Sequence, residues 1–552
     1  MAQETRSGTA HKLQVIDPPE ATVPPEVVAR WEAEGLVSNK TLAQAFADSA
    51  RDFPDALLTI YSETRPHQAT IEQFYRDAMS VAAGMQSFGI GPGDPVGIQL
   101  PGWYEAVLMQ AATALTGGVI VPLVHTFGTS EISFIMAQTG MKLAVTPGQW
   151  IGKDLSLPMA ECIGGKAIHH YAVCETAAPG AMPFSELMHP PENYRAPEGV
   201  RPDDIALIIF TSGTTSAPKG ACHSSRTILS EMNMTVKLGG RTGISPWPPG
   251  HIAGTMSLMR FWSNGMTTVV MEKWDATAGA RLIEQYKVES MSTVPLHLTT
   301  LMDAAERDGR DLSSLTHLLC GATTVPAALV ERAASFGLRT FRCYGMSEHP
   351  TITQGDPSDP LELRLNTDGT LNPGVELRFV DDEGKDVPVG TDGEILSRGP
   401  DRMLGYLDPE LNKDAFVAGG WLRTGDIGRI DADGNVAITD RKKDVIIRGG
   451  ETLSSREIEE HVAAIPQVRE VAAVGYPDEM LGEKVCICVT LAEGATLDLA
   501  EIDAHFRARG VARMKTPEKL AVFADFPRTG SGKIQKAQLR QIIREQMSTA
   551  ID

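Results

Sequence analysis

Between Phe210 and Gly220 the chain reads Phe210-Thr211-Ser212-Gly213-Thr214-Thr215-Ser216-Ala217-Pro218-Lys219-Gly220, crowding hydroxyls, glycines and one lysine into a short stretch. Such a composition suits the holding of phosphates. Glycine lets the main chain approach an anion with no Cβ in the way, and successive N–H groups form an anion nest. The hydroxyls of Thr211, Ser212, Thr214 and Thr215, together with the Lys219 ammonium, add donors and charge. The common phosphate loop is excluded, because G-x-x-x-x-G-K-[ST] cannot be laid over Gly213 to Gly220. Taken alone, the segment would also suit a Ser/Thr/Gly-rich surface loop.

A loop of this kind must be held by something rigid. The apolar run Ile205-Ala206-Leu207-Ile208-Ile209 before it reads as a fully buried strand. Val96–Leu100, Val119–Leu123, Leu315–Leu319 and Leu338–Cys343 read likewise, with helical stretches between them. That alternation predicts parallel sheets with covering helices, whose ligands sit beyond the carboxyl ends of the strands. From Val375 the pattern changes to short strands (Val375–Val380, Gly393–Ser397, Val436–Thr439) separated by Asp/Gly turns, a smaller β-rich layer. Ser454-Ser455-Arg456-Glu457 then forms a capping box that opens a helix. The Pro-rich stretch from Pro179 to Pro202 reads as a surface excursion.

Four further segments follow in order: Tyr344-Gly345-Met346-Ser347-Glu348, Thr424-Gly425-Asp426, Asp440-Arg441-Lys442-Lys443-Asp444, and Thr529-Gly530-Ser531-Gly532-Lys533. With the first loop, they resemble the signature of the adenylate-forming superfamily, which includes acyl-CoA synthetases, peptide-synthetase adenylation domains and beetle luciferases. The resemblance runs from about Thr41 to Gln546. One departure is Ser216, where that family usually has glycine; a hydroxyl facing the phosphates is retained.

The resemblance implies an α/β fold. A large N-terminal domain (1–440) of parallel-rich sheets, covering helices and the β-rich layer would bind AMP and the acyl substrate. A small, mobile α+β domain (441–552) would carry the catalytic lysine, with Lys443 as hinge. It also implies ATP, Mg²⁺ and coenzyme A as cofactors and a small-molecule carboxylic acid as substrate. Thr211, Ser212, Gly213, Thr214, Thr215 and Lys219 suit the β- and γ-phosphates, and Glu348, with Thr211, offers hard oxygens to Mg²⁺. Tyr344 offers a flat face to adenine, with Gly345, Met346 and Ser347 beside it. Gly321-Ala322-Thr323-Thr324 resembles the small-residue turn flanking the base. Asp426 can accept from both ribose hydroxyls, Arg441 adds a ribose or phosphate contact, and Lys533 stabilises charge between carboxylate and α-phosphate. The run Gly530-Ser531-Gly532-Lys533 imitates a nucleotide loop, but Ile534 stands where a Ser or Thr is required.

His251, in Trp247-Pro248-Pro249-Gly250-His251-Ile252-Ala253-Gly254, resembles the H-x-x-G segment of acyl- and aryl-CoA synthetases. Together with Gly321 and Met346 it is expected at the acyl pocket. Gly449 and Gly450 resemble the turn beside which the pantetheine thiol enters. The expected enzyme is thus an AMP-forming acyl-CoA ligase. The apolar residues around His251 (Trp247, Ile252, Met256, Leu258, Met259, Phe261, Trp262) favour a medium-chain, alicyclic or aromatic monocarboxylate. Two alternatives stay open: transfer of the acyl group to a carrier protein or to oxygen, and a catalytically silent nucleotide-binding or scaffold protein.

Bulk properties narrow the classes further. With 552 residues, 42% of them hydrophobic and 22% charged, the chain has the profile of a multi-domain globular enzyme. A net charge of −20, from 50 basic and 70 acidic residues, argues against a nucleic-acid surface. Seven cysteines without metal-ligand spacing suit a reducing cytoplasm, and Cys486 and Cys488 share one face of a strand as small hydrophobes. Ala106–Val124 approaches membrane-span length, but its polar residues, glycines and Pro122 make it helix, turn, then strand. No transmembrane segment and no signal peptide are expected; a homodimer is admitted as the assembly.

Overall fold

Apolar runs without alternation become strands covered on both faces, and two large sheets are built from them. The structure, a computed structural model, describes Leu13 and residues 19–174, 177–211, 218–234, 240–449, 451–478, 480–529 and 532–548. In one sheet the parallel strands Thr340–Met346, His317–Cys320, Ser290–Thr293, Thr242–Ser245, Thr267–Met271 and Leu57–Tyr61 lie side by side. His349–Gln354 pairs antiparallel at its edge. In the other, Ile205–Thr211 runs parallel to Val119–Pro122, which is followed by Pro95–Ile98, Leu143–Thr146 and His169–Ala172. On the far side of Ile205–Thr211 come two antiparallel strands, Lys219–Ser224 and Gly405–Tyr406. The strands expected from sequence are all found within a few residues of their predicted limits.

The helices Ile71–Ser87, Tyr104–Thr116 and Ile252–Asn264 contribute to one apolar cluster with strands of both sheets. Thr70 opens the first with a reciprocal capping box to Gln73. The second ends at Gly117, φ 72°, and the chain enters Val119–Pro122 directly, the predicted helix, turn and strand. The Pro-rich excursion is pinned more firmly than its composition suggests. Phe184 and Leu187 are buried, and a Cβ on Gly84 would stand 2.0 Å from the Leu187 carbonyl oxygen. Among the described residues no helix is long and apolar enough to cross a membrane.

The β-rich layer is an antiparallel sheet of Glu376–Val380, Gly393–Arg398, Trp421–Ile430, Phe416–Val417 and Val436–Arg441. After Asp444 a further sheet forms from Ile446–Arg448, Glu451–Leu453, Val468–Asp478, Gly482–Leu491 and Lys519–Val522. It has apolar clusters of its own, one of them holding Cys486 and Cys488. The helix Ser455–Ala463 begins as its cap predicts, with Ser454 Oγ accepting from Glu457 N at 3.1 Å. Only half of the capping box forms, because the Glu457 carboxylate pairs with Lys515.

Candidate active site

Thr211 and Lys219 face each other across the antiparallel pair that closes the phosphate-type loop, with Thr211 Oγ1 3.5 Å from Lys219 O. Ser212, Gly213, Thr214 and Thr215, and Ser216 with them, lie outside the described residues. Gly220 is needed for packing: a Cβ there would stand 3.0 Å from the Phe210 ring. Its neighbour Lys219 therefore leaves the strand at a fixed point, with its ammonium 5.5 Å from the centroid of the Tyr406 ring.

Glu348 occupies the second position of a two-residue hairpin turn between Thr340–Met346 and His349–Gln354, where Met346 pairs with His349. Gly345 makes the turn possible, since a Cβ there would fall 1.9 Å from Pro350 O. The backbone around the carboxylate is anchored on every side. Ser347 O accepts from His223 Nε2 at 2.8 Å, and Met403 N donates to Glu348 O at 2.8 Å. The His349 ring, fully buried, lies 3.0 Å from both Ser397 Oγ and Asp401 Oδ1. Burial pushes the His223 imidazole down to about 4, so at neutral pH it is an uncharged N–H donor. Glu348 Oε1 accepts from the Tyr406 hydroxyl at 2.7 Å. Burial, with Glu348 beside it, holds that phenol above its usual range, so it keeps its proton.

A second acidic group belongs to the β-rich layer. Asp426 pairs in register with Arg441, and its Oδ1 is 3.1 Å from Arg441 Nε. Its Oδ2 accepts from Tyr344 at 2.7 Å, and its own N–H donates to Thr424 Oγ1 at 3.1 Å. Tyr344 packs its ring into an apolar cluster with Ile352, Val375 and Phe379, so its hydroxyl braces Asp426 whatever else its ring does. Gly321 lies directly beside this strand, where a Cβ would meet Cys343 Sγ at 2.5 Å. The next residue, Ala322, takes φ 65°, a left-handed conformation that costs a non-glycine residue energy and recurs at functional turns. Thr323 is exposed on the same turn.

Lys533 reaches this group from the far end of the sequence. Its loop is closed by Thr529 N to Lys533 O at 2.8 Å and Lys533 N to Thr529 Oγ1 at 3.2 Å. Gly532 at φ 84° supplies the tight reversal; Gly530 and Ser531 lie outside the described residues. Burial pushes the Lys533 ammonium down to about 8, Arg441 and Lys443 push the same way, and Asp426 and Glu348 pull back. Both carboxylates therefore lie near enough to act on the charge of the lysine. Lys443 lies in the turn that joins Val436–Arg441 to the last sheet, where Asp444 N bonds to Arg441 O at 2.8 Å. Arg540 holds that turn through the Asp444 carboxylate at 2.7 Å.

The remaining expected residues fall elsewhere. His251 caps the helix Ile252–Asn264 with extended backbone (φ −105°, ψ 157°). Its turn is pressed onto the end of Val119–Pro122: a Cβ on Gly250 would lie 2.6 Å from Leu123 O, and one on Gly254 2.0 Å from Pro248 O. Met346 packs against the cluster of Met403, Tyr406 and Phe416. Gly449, at φ 60°, bonds to Leu481 O at 2.7 Å, within the last sheet; Gly450 lies outside the described residues. The apolar residues after His251 all join one core cluster, with Met256 and Met259 buried in it and Ile252 packed against it. Phe261 and Trp262 belong to a core ring cluster with Phe46 and Phe74 (Phe46 to Trp262, 4.6 Å), and Leu258 is buried in the same apolar core. For Met256, Leu258, Met259, Phe261 and Trp262 alike, core packing accounts for the residue type. Arg260 is matched to Glu231 at 3.4 Å, and burial raises the Glu231 carboxyl well above its usual range.

Sequence reasoning missed Tyr406, His223, His349 and Asp401. A buried His beside Glu348 was the one available signal, and its partner stands 52 positions away. No group of three or more His, Cys, Asp or Glu that could hold a metal occurs among the described residues. One anchored carboxylate near a phosphate-type loop nevertheless fits Mg²⁺, which takes one or two carboxylates and completes its shell with phosphate oxygens and water.

Comparison with known proteins identifies the family. The family model described as AMP-binding enzyme matches residues 46–407, and that of the AMP-binding enzyme C-terminal domain matches residues 457–533. The chain is 31% identical over 535 residues to the medium-chain fatty-acid–CoA ligase of Escherichia coli (strain K12), covering 94% of this chain and 93% of that one. It is 30% identical over 549 residues to the 2-hydroxy-7-methoxy-5-methyl-1-naphthoate–CoA ligase of Streptomyces carzinostaticus, covering 94% and 96%. Among solved structures, the amide bond synthetase McbA from Marinactinospora thermotolerans superposes with a TM-score of 0.79 at 27% identity, over 91% of this chain and 99% of that one.

Proposed function

Because the chain belongs to the AMP-binding enzyme family and is an AMP-forming acyl-CoA ligase, we propose that it activates a hydrophobic monocarboxylic acid, medium-chain, alicyclic or aromatic. The observation that carries the reading of the site is the convergence of Lys533 on Glu348, Asp426 and Arg441 from separate stretches of the chain. In the first half-reaction a carboxylate oxygen attacks the α-phosphorus of ATP, and the bond to the pyrophosphate oxygen breaks. Lys533 meets the negative charge that develops there. Lys219 and the loop after Thr211 hold the β- and γ-phosphates, and Asp426 with Arg441 holds the ribose. Glu348, with Thr211, would hold Mg²⁺, which when bound neutralises phosphate charge. In the second half-reaction the CoA thiolate attacks the acyl carbonyl and AMP leaves.

The same proposal places the domain boundary at 440/441, the hinge at Lys443, and the thiol's approach beside Gly449 and Gly450. His251, Gly321 and Met346 would border the acyl group. A hydrophobic acid is supported by the relatives named for medium-chain and naphthoate substrates, and by the pairing of Arg260, on the helix after His251, with Glu231. Cytoplasmic residence and a homodimer belong to the same proposal, the latter read by sedimentation. The acid is tested by pyrophosphate release and acyl-CoA formation over an acid library. Octanoate, cyclohexanecarboxylate or benzoate should exceed acetate, with kcat/KM rising about threefold or more per added buried methylene until the pocket is full. Acetate or a free amino acid as best substrate would reject it.

A further inference from the structure

Tyr406 stands between the two opposite charges that this reading assigns to the nucleotide. Its hydroxyl donates to Glu348 Oε1 at 2.7 Å, and the Lys219 ammonium lies over its ring at 5.5 Å. The two contacts use the two electrical faces of one side chain: the ring face attracts a cation and the O–H dipole attracts an anion. The register explains why both are met. Tyr406 pairs with Ala221, and Lys219 lies two residues before Ala221 on the same face of its strand, a diagonal neighbour that a long side chain can reach.

The backbone that carries the ring is held in place. Tyr406 N donates to Asn412 Oδ1 at 2.7 Å, and Asn412 Nδ2 donates back to Tyr406 O at 2.9 Å. On either side, Leu404 N donates to Cys222 O and Leu407 N to Gly220 O, each at 2.8 Å. A lysine and a glutamate sharing a largely buried cleft would otherwise be drawn into a direct ion pair, and that pair would have to be broken for phosphates and metal to enter.

We propose that Tyr406 is a positioning residue that keeps Lys219 and Glu348 from pairing with each other, so that each meets the nucleotide and its metal with its charge unspent. The inference rests on the nucleotide reading above. It is tested by binding and not by turnover, using Mn²⁺ followed by electron paramagnetic resonance with α,β-methylene-ATP, and calorimetry of the analogue without metal. Tyr406→Phe keeps the ring and loses the hydroxyl. It should weaken Mn²⁺ in the ternary complex about tenfold, the order expected for a lost hydrogen bond to a charged group, and leave metal-free analogue binding within about twofold. Tyr406→Leu removes both contacts and should also weaken the metal-free analogue. Adding Glu348→Gln to Tyr406→Leu should restore metal-free binding, because Lys219 is released. Recovery beyond the gain that Glu348→Gln gives on its own is the outcome a merely structural tyrosine would not give.

If Tyr406→Leu does not fold, Tyr406→Phe decides alone, and wild-type Mn²⁺ affinity in it overturns the proposal. Absence of recovery in the double variant overturns it as well. Wild-type protein that binds no Mn²⁺–analogue complex would overturn the nucleotide reading itself, a failure distinguishable from the other two.

Discussion

Glu348 and Lys533 face the same space and are held in opposite ways. Glu348 sits in a two-residue turn whose neighbours are fixed by His223, Met403, Ser397 and Asp401, partners drawn from two separate stretches of chain. Lys533 sits on a loop whose backbone hydrogen bonds close within itself, between Thr529 and Lys533. On the proposed function Glu348 must present one geometry to a metal, and a turn built into the core suits that, since rotation would break many contacts at once. On the same proposal Lys533 serves only one of two half-reactions, and a self-closed loop beyond the last sheet suits such a part. The turn at Arg441–Asp444, with Arg540 bound to it, is the covalent link between the two regimes.

The largest effect should come from Lys533→Ala, with adenylate formation falling by about 10²–10³ as one preorganised donor is lost. Thioester formation from synthetic acyl-adenylate and the denaturation midpoint should stay near wild type. Equal loss in both half-reactions would break the contrast.

His349→Ala attacks the other side. It leaves the Asp401 carboxylate buried without its imidazole and should cost about 3 kcal/mol of stability, seen in urea unfolding, together with weakened nucleotide binding. An unchanged midpoint would mean that the Glu348 turn is not held as described.

The pH dependence sharpens the picture of Lys533. Its ammonium titrates near 8 in the free protein, held down first by burial and then by Arg441, with Lys443 adding to it against Asp426 and Glu348. The charged form prevails below that value and is lost above it. kcat/KM for adenylation, which reports the free enzyme, should therefore fall roughly tenfold per unit well above pH 8. Lys533→Arg should move that limb to higher pH. A flat profile through pH 9 would show that the charge on Lys533 is not what the step uses.

The smallest effect concerns the seam between the two regions. Arg456, in the helix Ser455–Ala463, donates to Ile438 O and lies 3.7 Å from Asp368 and 3.3 Å from Glu460. Arg456→Ala should shift the ratio of the two half-reaction rates by about fivefold, the worth of roughly one hydrogen bond. Rapid-quench measurement of each half-reaction reads the ratio, and an unchanged ratio would remove Arg456 from the seam.

Much of this was legible in the sequence. The buried strand Ile205–Thr211, the glycine that permits the Glu348 turn, and the loop of Lys533 are written locally, because unbroken apolar runs and positions closed to a Cβ constrain residue type wherever they occur. Adjacency in sequence also foretold that Ser454 would cap its helix. It could not foretell that Glu457 would abandon the capping box for Lys515, 58 positions away. Nor could it separate Phe261 and Trp262 from a binding pocket, since an aromatic on a helix reads the same whether it meets a ligand or Phe46 and Phe74.

The amino-acid order by itself determined which segments carry chemistry, because each needs particular residue types at short range. Tertiary structure alone decided their alignment: Tyr406 set between Lys219 and Glu348, Asp401 brought to His349, Lys533 delivered from the last sheet. Those pairings join positions whose separation carries no period, so only the packing of one element on another could select them.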